Sequence, residues 1–207
     1  MTTSVKTHWS QLAFVAVDVE GSGHNPHEII ELAVVPIRLS SIHLDEAKQW
    51  LICPTKPVTP QATAIHGITN EDLAGQPTFA ELTPRIKDAL GQEILIGHYV
   101  QVDQQLIQAQ LPQWRPALSL DTIKLAKAVA PNLQSYSLAA LITEFGITNL
   151  PSGQPHRAMF DAIAAGRLFL VLAQRLDQDG CLTLGKLAEL GANSNNHFFS
   201  DAQGGLF

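Results

Sequence analysis

A short apolar run that ends in two carboxylates sets the strongest limit on the architecture of this chain. The run covers residues 14–20 (FVAVDVE), and its composition predicts a buried β-strand. Alternate residues of a strand point to the same side, so Asp18 and Glu20 would direct two negative charges towards one point. Such a pair is costly in a partly buried position unless a cation lies between the carboxylates. A hard divalent cation such as Mg²⁺ or Mn²⁺ would satisfy the pair, but a strand that simply leaves the core also fits the pattern.

The size and composition of the chain predict one globular domain with room for a tail. The chain has 207 residues, of which 45% are hydrophobic and 15% are charged. No apolar run approaches the roughly 18 residues of a membrane helix and no signal-peptide pattern opens the chain, so we expect a cytoplasmic protein without a membrane partner. Cys53 and Cys181 lack any metal-binding spacing and are predicted to be free thiols. The net charge of −6 argues against binding nucleic acid by bulk electrostatics, although bound metal ions would reverse the local charge.

The order of predicted elements indicates the α/β class. Three strands come first, and helices then alternate with strands. This order predicts a mixed sheet with helices on both faces. The expected strands cover residues 12–18, 29–37, 49–53 and 93–97, and the expected helices cover residues 78–90, 102–110, 121–129, 137–145 and 158–176.

Three further segments carry acidic or imidazole side chains. A short buried strand breaks at residue 97 and leads to Asp103 at the start of a helix, and His156 precedes Asp161, which lies in the first turns of the longest helix. A loop at residues 65–69 carries His66 next to a glycine. Taken singly, the two aspartates also fit ordinary first-turn helix residues, and His156 also fits a surface loop. Asp121 is interpreted as a helix N-cap and not as a metal ligand.

These positions, taken in order, resemble the motifs of the DEDDh family of 3′–5′ exonucleases. This group includes the proofreading subunit of bacterial replicative DNA polymerase, ribonuclease T and oligoribonuclease. The resemblance extends from about residue 14 to residue 173 and implies a ribonuclease H-like fold, with a mixed five-stranded sheet flanked by helices. The matching positions are Asp18 and Glu20 in the first motif, Asp103 in the second, and His156 with Asp161 in the third, together with residues 65–69 and 121–122 between them.

The resemblance implies that the protein hydrolyses phosphodiester bonds with the help of divalent metal ions. Hydrolysis adds negative charge to a phosphorus centre that already carries one, and two ions about 4 Å apart can stabilise the attacking and leaving oxygens. The attacking water also needs a proton acceptor near neutral pH, which suits an imidazole such as that of His156. The expected ligands of two Mg²⁺ or Mn²⁺ ions are the carboxylates of Asp18, Glu20, Asp103 and Asp161.

By the same resemblance, we expect a pocket for the 3′-terminal nucleotide. The chain departs from the family pattern at two places, and both changes affect how this nucleotide is held. Residues 21–23 are Gly-Ser-Gly where the family usually has Thr-Thr-Gly, and Tyr99 stands where the family usually has Asn after a His. His66 also fits a residue that only packs its own loop. The expected substrate-binding residues are Gly21, Ser22, Ile65 and His66.

The C-terminal end resembles the short peptide by which bacterial replication and repair proteins bind the sliding clamp. The last five residues read Gln-Gly-Gly-Leu-Phe and follow a small, polar segment at residues 191–197 that is typical of a flexible linker. We therefore expect an exonuclease domain at residues 1–180 and a flexible tail at residues 181–207. The expected clamp contacts are Gln203, Leu206 and Phe207, because a flexible tail can present an amide and two apolar side chains to a groove. The alternative is an end that folds back onto the body.

The leading functional prediction is a DNA 3′–5′ exonuclease of replication proofreading or repair. Its expected partners are DNA with a free 3′ end, the sliding clamp and a DNA polymerase subunit. An exoribonuclease that trims RNA is the alternative within the same group, since the motifs do not distinguish deoxyribose from ribose and only the tail favours DNA. A catalytically silent adaptor for a clamp or polymerase is a further alternative, but it predicts the loss of a catalytic position, and all five are present.

Overall fold

The computed structural model describes residues 4–192 and shows a mixed β-sheet with helices on both faces. This architecture confirms the predicted α/β class. The strands are β1 (Ala13–Gly21), β2 (Ile29–Arg38), β3 (Ser41–Ile42), β4 (Lys48–Leu51), β5 (Ile94–Gly97) and β6 (Leu118–Asp121). The α-helices are α1 (Pro60–His66), α2 (Asn70–Leu73), α3 (Phe79–Leu90), α4 (Val100–Gln110), α5 (Thr122–Val129), α6 (Leu138–Glu144), α7 (Ala158–Leu176) and α8 (Leu184–Gly191).

Six strands occupy five positions across the described sheet, in the order β3-β2-β1-β5-β6. β1 pairs antiparallel with β2 and parallel with β5, and β5 pairs parallel with β6. β3 and β4 both pair antiparallel with β2, β3 at Ile37 and Arg38 and β4 at residues 31–34. The sheet is therefore five strands wide, as predicted, but the chain leaves the sheet in a turn at residues 43–47, so that two short strands fill one position.

Alternation along β1 sends its side chains into two separate cores. Phe14 and Ala16 belong to the core that contains α7, whereas the valines between and after them pack with α3 and α4. The long helix α7 lies close to the sheet, because a Cβ atom at Gly166 would be only 3.3 Å from the Cβ of Ala16. Asp18 and Glu20 continue the same alternation as Phe14 and Ala16. Both carboxylates are therefore directed to the side of the sheet that α7 covers.

Predicted capping residues mark the ends of several helices. Thr78 forms a capping box with Glu81 at the start of α3, and Gly91 is the C-cap of that helix. Asp121 accepts a hydrogen bond from the Ile123 N–H at 2.8 Å, so it is the N-cap of α5. Local side-chain chemistry therefore predicted these helix boundaries correctly.

Five strands and helices of the described residues were not predicted from the sequence: α1, α2, α8, β3 and β6. Helices α1 and α2 flank residues 67–69, the part of the predicted loop at residues 65–69 that lies outside a helix, and α1 starts with Thr59 as N-cap and Pro60 in its first turn. Strand β6 has only four residues and was missed, although Leu118 and Leu120 are wholly buried. Helix α4 begins at Val100, two residues earlier than predicted.

The folded body extends beyond the domain boundary predicted at residue 180. Thr183 caps helix α8, and the wholly buried side chains of Leu184 and Leu187 join the core that contains α7. Because burial of these apolar side chains stabilises the body, the segment up to residue 192 is part of it and not of a flexible tail. The predicted linker continues past residue 192, and the predicted peptide with Gln203, Leu206 and Phe207 lies outside the described residues.

The described part of the chain contains neither a membrane helix nor a disulfide. No helix within residues 4–192 is both long and apolar enough to cross a membrane. Cys53 and Cys181 are both free thiols.

Candidate active site

Acidic side chains from β1 and α7 converge where β1 ends. Asp18, Glu20 and Asp161 each place one carboxylate oxygen within 4.8 Å of the other two. The two residues of β1 share one face of the strand, and Asp161 lies in the first turn of α7 beside that face. A β-bulge between Glu20 and Gly21 interrupts the pairing with β2 at this point. The fold thus brings together three of the four carboxylates predicted from the sequence.

Asp103, the fourth predicted carboxylate, adjoins this acidic cluster. It lies in the first turn of α4 and is only 6% exposed. Its Oδ1 accepts a hydrogen bond from the backbone N–H of Val19 at 3.2 Å, so it contacts β1 between Asp18 and Glu20. Its negative charge also acts on both of those carboxyl groups. Asp103 therefore adds a fourth acidic group to the same region, next to the three that lie within 4.8 Å of one another.

The crowding of carboxyl groups in a largely buried site raises their pKa values. Desolvation raises the pKa of Asp18 well above its usual value, and repulsion from Asp103 is the next cause. Desolvation, reinforced by Asp161 and Glu31, raises the pKa of Glu20 to about 7. Burial also raises the pKa of Asp103 and that of Asp161. Full ionisation of the site is therefore costly in the absence of a cation, and a bound cation would remove that cost.

His156 lies in the segment that leads into α7. Its backbone N–H donates a hydrogen bond to Asp161 Oδ2 at 2.8 Å, and the residue is exposed. Its φ angle of 62° lies in the left-handed region that residues other than glycine rarely adopt. Its imidazole interacts electrostatically with both Asp161 and His66. The backbone thus holds His156 beside the carboxylates and leaves the residue accessible to solvent.

A cleft of about 550 Å³ opens beside Glu20. Three of the predicted nucleotide-binding residues, Gly21, Ile65 and His66, line it. Ile65 is 62% exposed and offers apolar surface to this cleft. Another cavity, of about 590 Å³, is lined by Trp50 and by none of the four carboxylates. Because the two cavities are similar in volume, the acidic cluster identifies the candidate site, and cavity size does not. Other residues that line the cleft include Val19, Thr59, Ala62, Val102, Gln105 and Leu106.

Ser22, the fourth residue predicted for the pocket, does not line this cleft. It is wholly buried, and its Oγ accepts a hydrogen bond from the Glu28 N–H at 3.2 Å. Its own N–H donates to the Glu28 carbonyl at 2.8 Å, and its carbonyl accepts from the Thr59 N–H at 3.0 Å. Ser22 thus joins the loop after β1 to the start of α1, and its contact with substrate stays a prediction.

His66 closes one side of the cleft with a defined hydrogen-bonding state. It is 5% exposed, and its Nδ1 accepts a hydrogen bond from the Ile68 N–H at 3.0 Å. Burial lowers the pKa of His66, so the neutral ring is favoured. In that state the proton is assigned to Nε2, since Nδ1 acts as the acceptor. Nε2 is buried and directed towards the end of β1, where an interaction with the backbone of Gly21 partly offsets the effect of burial on the pKa of His66.

Glu31 is a neighbour of the site that the sequence analysis missed. It is wholly buried in β2 and lies opposite Glu20 of β1 in the sheet register. Its carboxylate accepts hydrogen bonds from Gln49 Nε2, from the Arg157 guanidinium and from the backbone N–H of Ala158. A charged residue within an otherwise apolar strand is the signal that could have indicated Glu31, because a buried carboxylate needs partners.

Comparison with known proteins identifies a family and several relatives. Residues 15–169 match the family described as Exonuclease. The chain is 32% identical over 169 residues to the DNA polymerase III subunit epsilon of Aquifex aeolicus (strain VF5), which covers 79% of this chain and 81% of that protein. It is 30% identical over 178 residues to the protein of the same name in Treponema pallidum (strain Nichols), with coverages of 82% and 80%. It is 29% identical over 195 residues to the 3′–5′ exonuclease DinG of Bacillus subtilis (strain 168), covering 91% of this chain but only 20% of that longer protein.

Solved structures share the architecture of the described residues. Exonuclease X, in complex with 5′ overhanging duplex DNA, has a TM-score of 0.66 and 26% identity, covering 86% of this chain and 98% of that one. The nuclease domain of 3′hExo, a DEDDh family member bound to rAMP, has a TM-score of 0.65 and 20% identity, covering 90% and 98%. These likenesses confirm the predicted ribonuclease H-like fold. The match over residues 15–169, which spans most of the chain, shows that this protein is an enzyme of the exonuclease family.

Proposed function

We propose that this protein is a metal-dependent 3′–5′ exonuclease that releases nucleoside monophosphates from the 3′ ends of DNA. The observation that carries the proposal is the convergence of Asp18, Glu20 and Asp161 within 4.8 Å, beside an open cleft. Asp103 contributes a fourth carboxylate next to them. A set of donors that contains only carboxylate oxygens suits Mg²⁺ or Mn²⁺ better than it suits softer metals.

We assign two Mg²⁺ or Mn²⁺ ions to this acidic cluster. Four carboxylates carry more negative charge than one divalent ion neutralises, which supports two ions. When bound, the two ions would stabilise the charge that develops on the attacking and leaving oxygens of a phosphodiester. The protein contributes by fixing its donors: the Val19 N–H orients Asp103, and the His156 N–H orients Asp161. The proposed ligands are Asp18, Glu20, Asp103 and Asp161.

His156 is the proposed general base. The unperturbed pKa of an imidazole lies near neutrality, so at physiological pH it can accept a proton from the attacking water. The exposed position of His156 beside Asp161 is consistent with this role, since the proton can then pass to solvent. Asp161 also faces the imidazolium that would form, and its negative charge would stabilise that cation.

The cleft beside Glu20 is the proposed site of the 3′-terminal nucleoside. Ile65 and Val102 offer it exposed apolar surface, with 62% and 42% of these residues exposed. Apolar surface suits the face of a base, and His66, which lines the same cleft, is the proposed polar contact to the terminal sugar. A terminal nucleoside in this cleft would bring the adjacent phosphodiester to the carboxylate cluster, because Glu20 belongs to both.

A role with DNA in the cytoplasm, in replication proofreading or repair, is the biological part of this proposal. It is supported by the names of the relatives in Aquifex aeolicus and Treponema pallidum, both subunits of DNA polymerase III. We further propose that Gln203, Leu206 and Phe207 bind a sliding clamp, which rests on the sequence pattern of the last five residues. A polymerase subunit is a second proposed partner, by analogy with the same relatives.

Digestion of matched DNA and RNA oligonucleotides tests the proposal directly. Both would carry a 5′ label and the same base sequence, and each would be incubated with Mg²⁺ or with EDTA. We expect stepwise shortening of the DNA from its 3′ end, release of mononucleotides, and no cleavage of circular single strands. Preferential shortening of RNA would favour the exoribonuclease alternative. Cleavage of the circle would refute the exonuclease polarity, and complete inertness towards both substrates would favour the adaptor.

A further inference from the structure

A buried ion pair joins the strand next to the acidic cluster to the helix that carries Asp161. Glu31 of β2 is wholly buried, and the Arg157 guanidinium donates to it through Nε at 3.1 Å and through Nη2 at 2.7 Å. The backbone N–H of Ala158 donates to Glu31 Oε2 at 2.8 Å, and Gln49 Nε2 on β4 donates to Oε1 at 2.6 Å. One carboxylate of β2 therefore binds two other segments, β4 and the start of α7.

Glu31 also supplies the cap that α7 does not supply for itself. Arg157 is the N-cap residue of α7, and its side chain makes no capping hydrogen bond. The first amide of the helix, that of Ala158, is satisfied instead by Glu31. A carboxylate at this position also interacts favourably with the positive end of the helix dipole. The start of α7 is therefore bound to β2 by charge-assisted hydrogen bonds.

The position of Glu31 relates this contact to the acidic cluster. Glu31 lies opposite Glu20 across the β1–β2 pair, and directly opposed side chains in such a pair are about 4.5–5.5 Å apart at Cβ. Arg157 and Ala158 lie between His156 and Asp161 in the chain. Like charges in the cluster repel one another, so without a restraint the start of α7 would be pushed away from β1. The bonds from Glu31 oppose that displacement.

We propose that Glu31 is a positioning residue that holds the start of α7 against β1, so that Asp161 stays beside the carboxylates of β1. This inference rests on the function proposed above, in which those carboxylates share divalent cations. Glu31 is not assigned as a metal ligand, because its two oxygens are already engaged by Arg157, Ala158 and Gln49. Glu31 repels Glu20 directly, but its positioning effect passes through the segment that connects His156 to Asp161.

Binding of Mn²⁺ to the full chain, measured by calorimetry without nucleic acid, tests this role. Glu31→Gln keeps the size of the side chain but removes its charge and turns an amide NH₂ towards other donors. Arg157→Lys keeps the positive charge but loses the two-pronged contact. Asp177→Asn is the matched control, because Asp177 also joins distant segments by accepting from Trp9 Nε1 and from the Leu182 N–H, both at 2.8 Å, and it takes no part in the acidic cluster.

We expect Glu31→Gln to weaken Mn²⁺ binding by about 10- to 100-fold, the usual cost of losing a partner that orients a metal ligand. Arg157→Lys should weaken Mn²⁺ binding by a smaller factor. Asp177→Asn should leave Mn²⁺ affinity unchanged, even if it lowers the melting temperature as much as Glu31→Gln does. High Mg²⁺ concentrations should restore part of kcat in Glu31→Gln. If Glu31→Gln does not fold, Arg157→Lys decides the question.

Wild-type Mn²⁺ affinity in a folded Glu31→Gln or, failing that, in Arg157→Lys would overturn the positioning role. An equal loss of affinity in Asp177→Asn would also overturn it, because the effect would then reflect general destabilisation. A wild-type protein that binds no Mn²⁺ and hydrolyses no oligonucleotide would instead refute the proposed function, and this inference with it. The two failures are therefore distinguishable.

Discussion

Replacement of Glu20 by Gln should abolish hydrolysis but stabilise the metal-free protein above neutral pH. Desolvation, with repulsion from Asp161 and Glu31, raises the pKa of Glu20 from 4.5 to about 7. The native state therefore holds this proton more tightly than the unfolded state does. The contribution of the Glu20 proton to stability is fully present below about pH 4.5 and is lost as the pH rises through 7, because Glu20 ionises at a lower pH in the unfolded chain than in the folded protein. The Gln side chain has no charge to desolvate, so the variant escapes this loss.

The size of the effect follows from the two pKa values. A change from 4.5 to about 7 corresponds to roughly 3.4 kcal/mol in the free energy of unfolding once Glu20 is ionised in both states. Glu20 is only half-buried, and water screens its interactions, so we expect about 1–3 kcal/mol at pH 8. For a chain of this size, that gain raises the melting temperature by roughly 2–12 °C.

Thermal unfolding in EDTA at pH 5 and pH 8 measures this effect. The control is Glu144→Gln, which neutralises an exposed glutamate at the end of α6 and should change stability by less than about 0.5 kcal/mol. The melting temperature of Glu20→Gln should exceed that of the wild type at pH 8, and the difference should be much smaller at pH 5. In excess Mg²⁺ the wild type should have the higher melting temperature, because only the wild type keeps all of the carboxylates that are proposed to bind the ions. Equal stability of Glu20→Gln and wild type in EDTA at pH 8 would refute the reasoning.

Three further predictions concern the base, the metal and the tail. His156→Ala should lower kcat by about 10²–10⁴-fold with an unchanged melting temperature, since the residue is exposed; full activity at neutral pH would remove it from the mechanism. EDTA should stop oligonucleotide hydrolysis and Mg²⁺ or Mn²⁺ should restore it, because the proposed reaction needs cations at the carboxylates; hydrolysis that persists in EDTA would contradict the metal assignment. Changing Leu206 and Phe207 to Ala should abolish binding to a sliding clamp in a calorimetric titration and leave hydrolysis of a short oligonucleotide intact, because apolar anchors carry most of the energy of a small interface; unchanged clamp affinity would argue against the peptide.

Local patterns were sufficient to predict several parts of the site. The two-residue period of a strand places Asp18 and Glu20 on one face whatever surrounds them. Capping hydrogen bonds also act over only a few residues, which is why Thr78 and Asp121 correctly marked the starts of two helices. The order of the acidic and imidazole positions indicated a group of exonucleases, and the match over residues 15–169 confirms that the chain belongs to the exonuclease family.

Properties that depend on contact between distant segments could not be predicted from local sequence patterns. Glu31 and Arg157 are 126 residues apart, and only the pairing of β2 with its neighbours brings them together in the interior. Leu184 and Leu187 belong to the core because α8 packs beside α5, although a flexible tail was predicted from residue 181 onwards.

The charge state of the site is a further property of this kind. Glu20 has a raised pKa because burial removes water and because acidic groups from β2, α4 and α7 surround it. Electrostatic energy depends on the separation of charges and on the surrounding dielectric. Spacing along the chain determines neither quantity, since folding alone sets how near these groups lie and how much water remains between them.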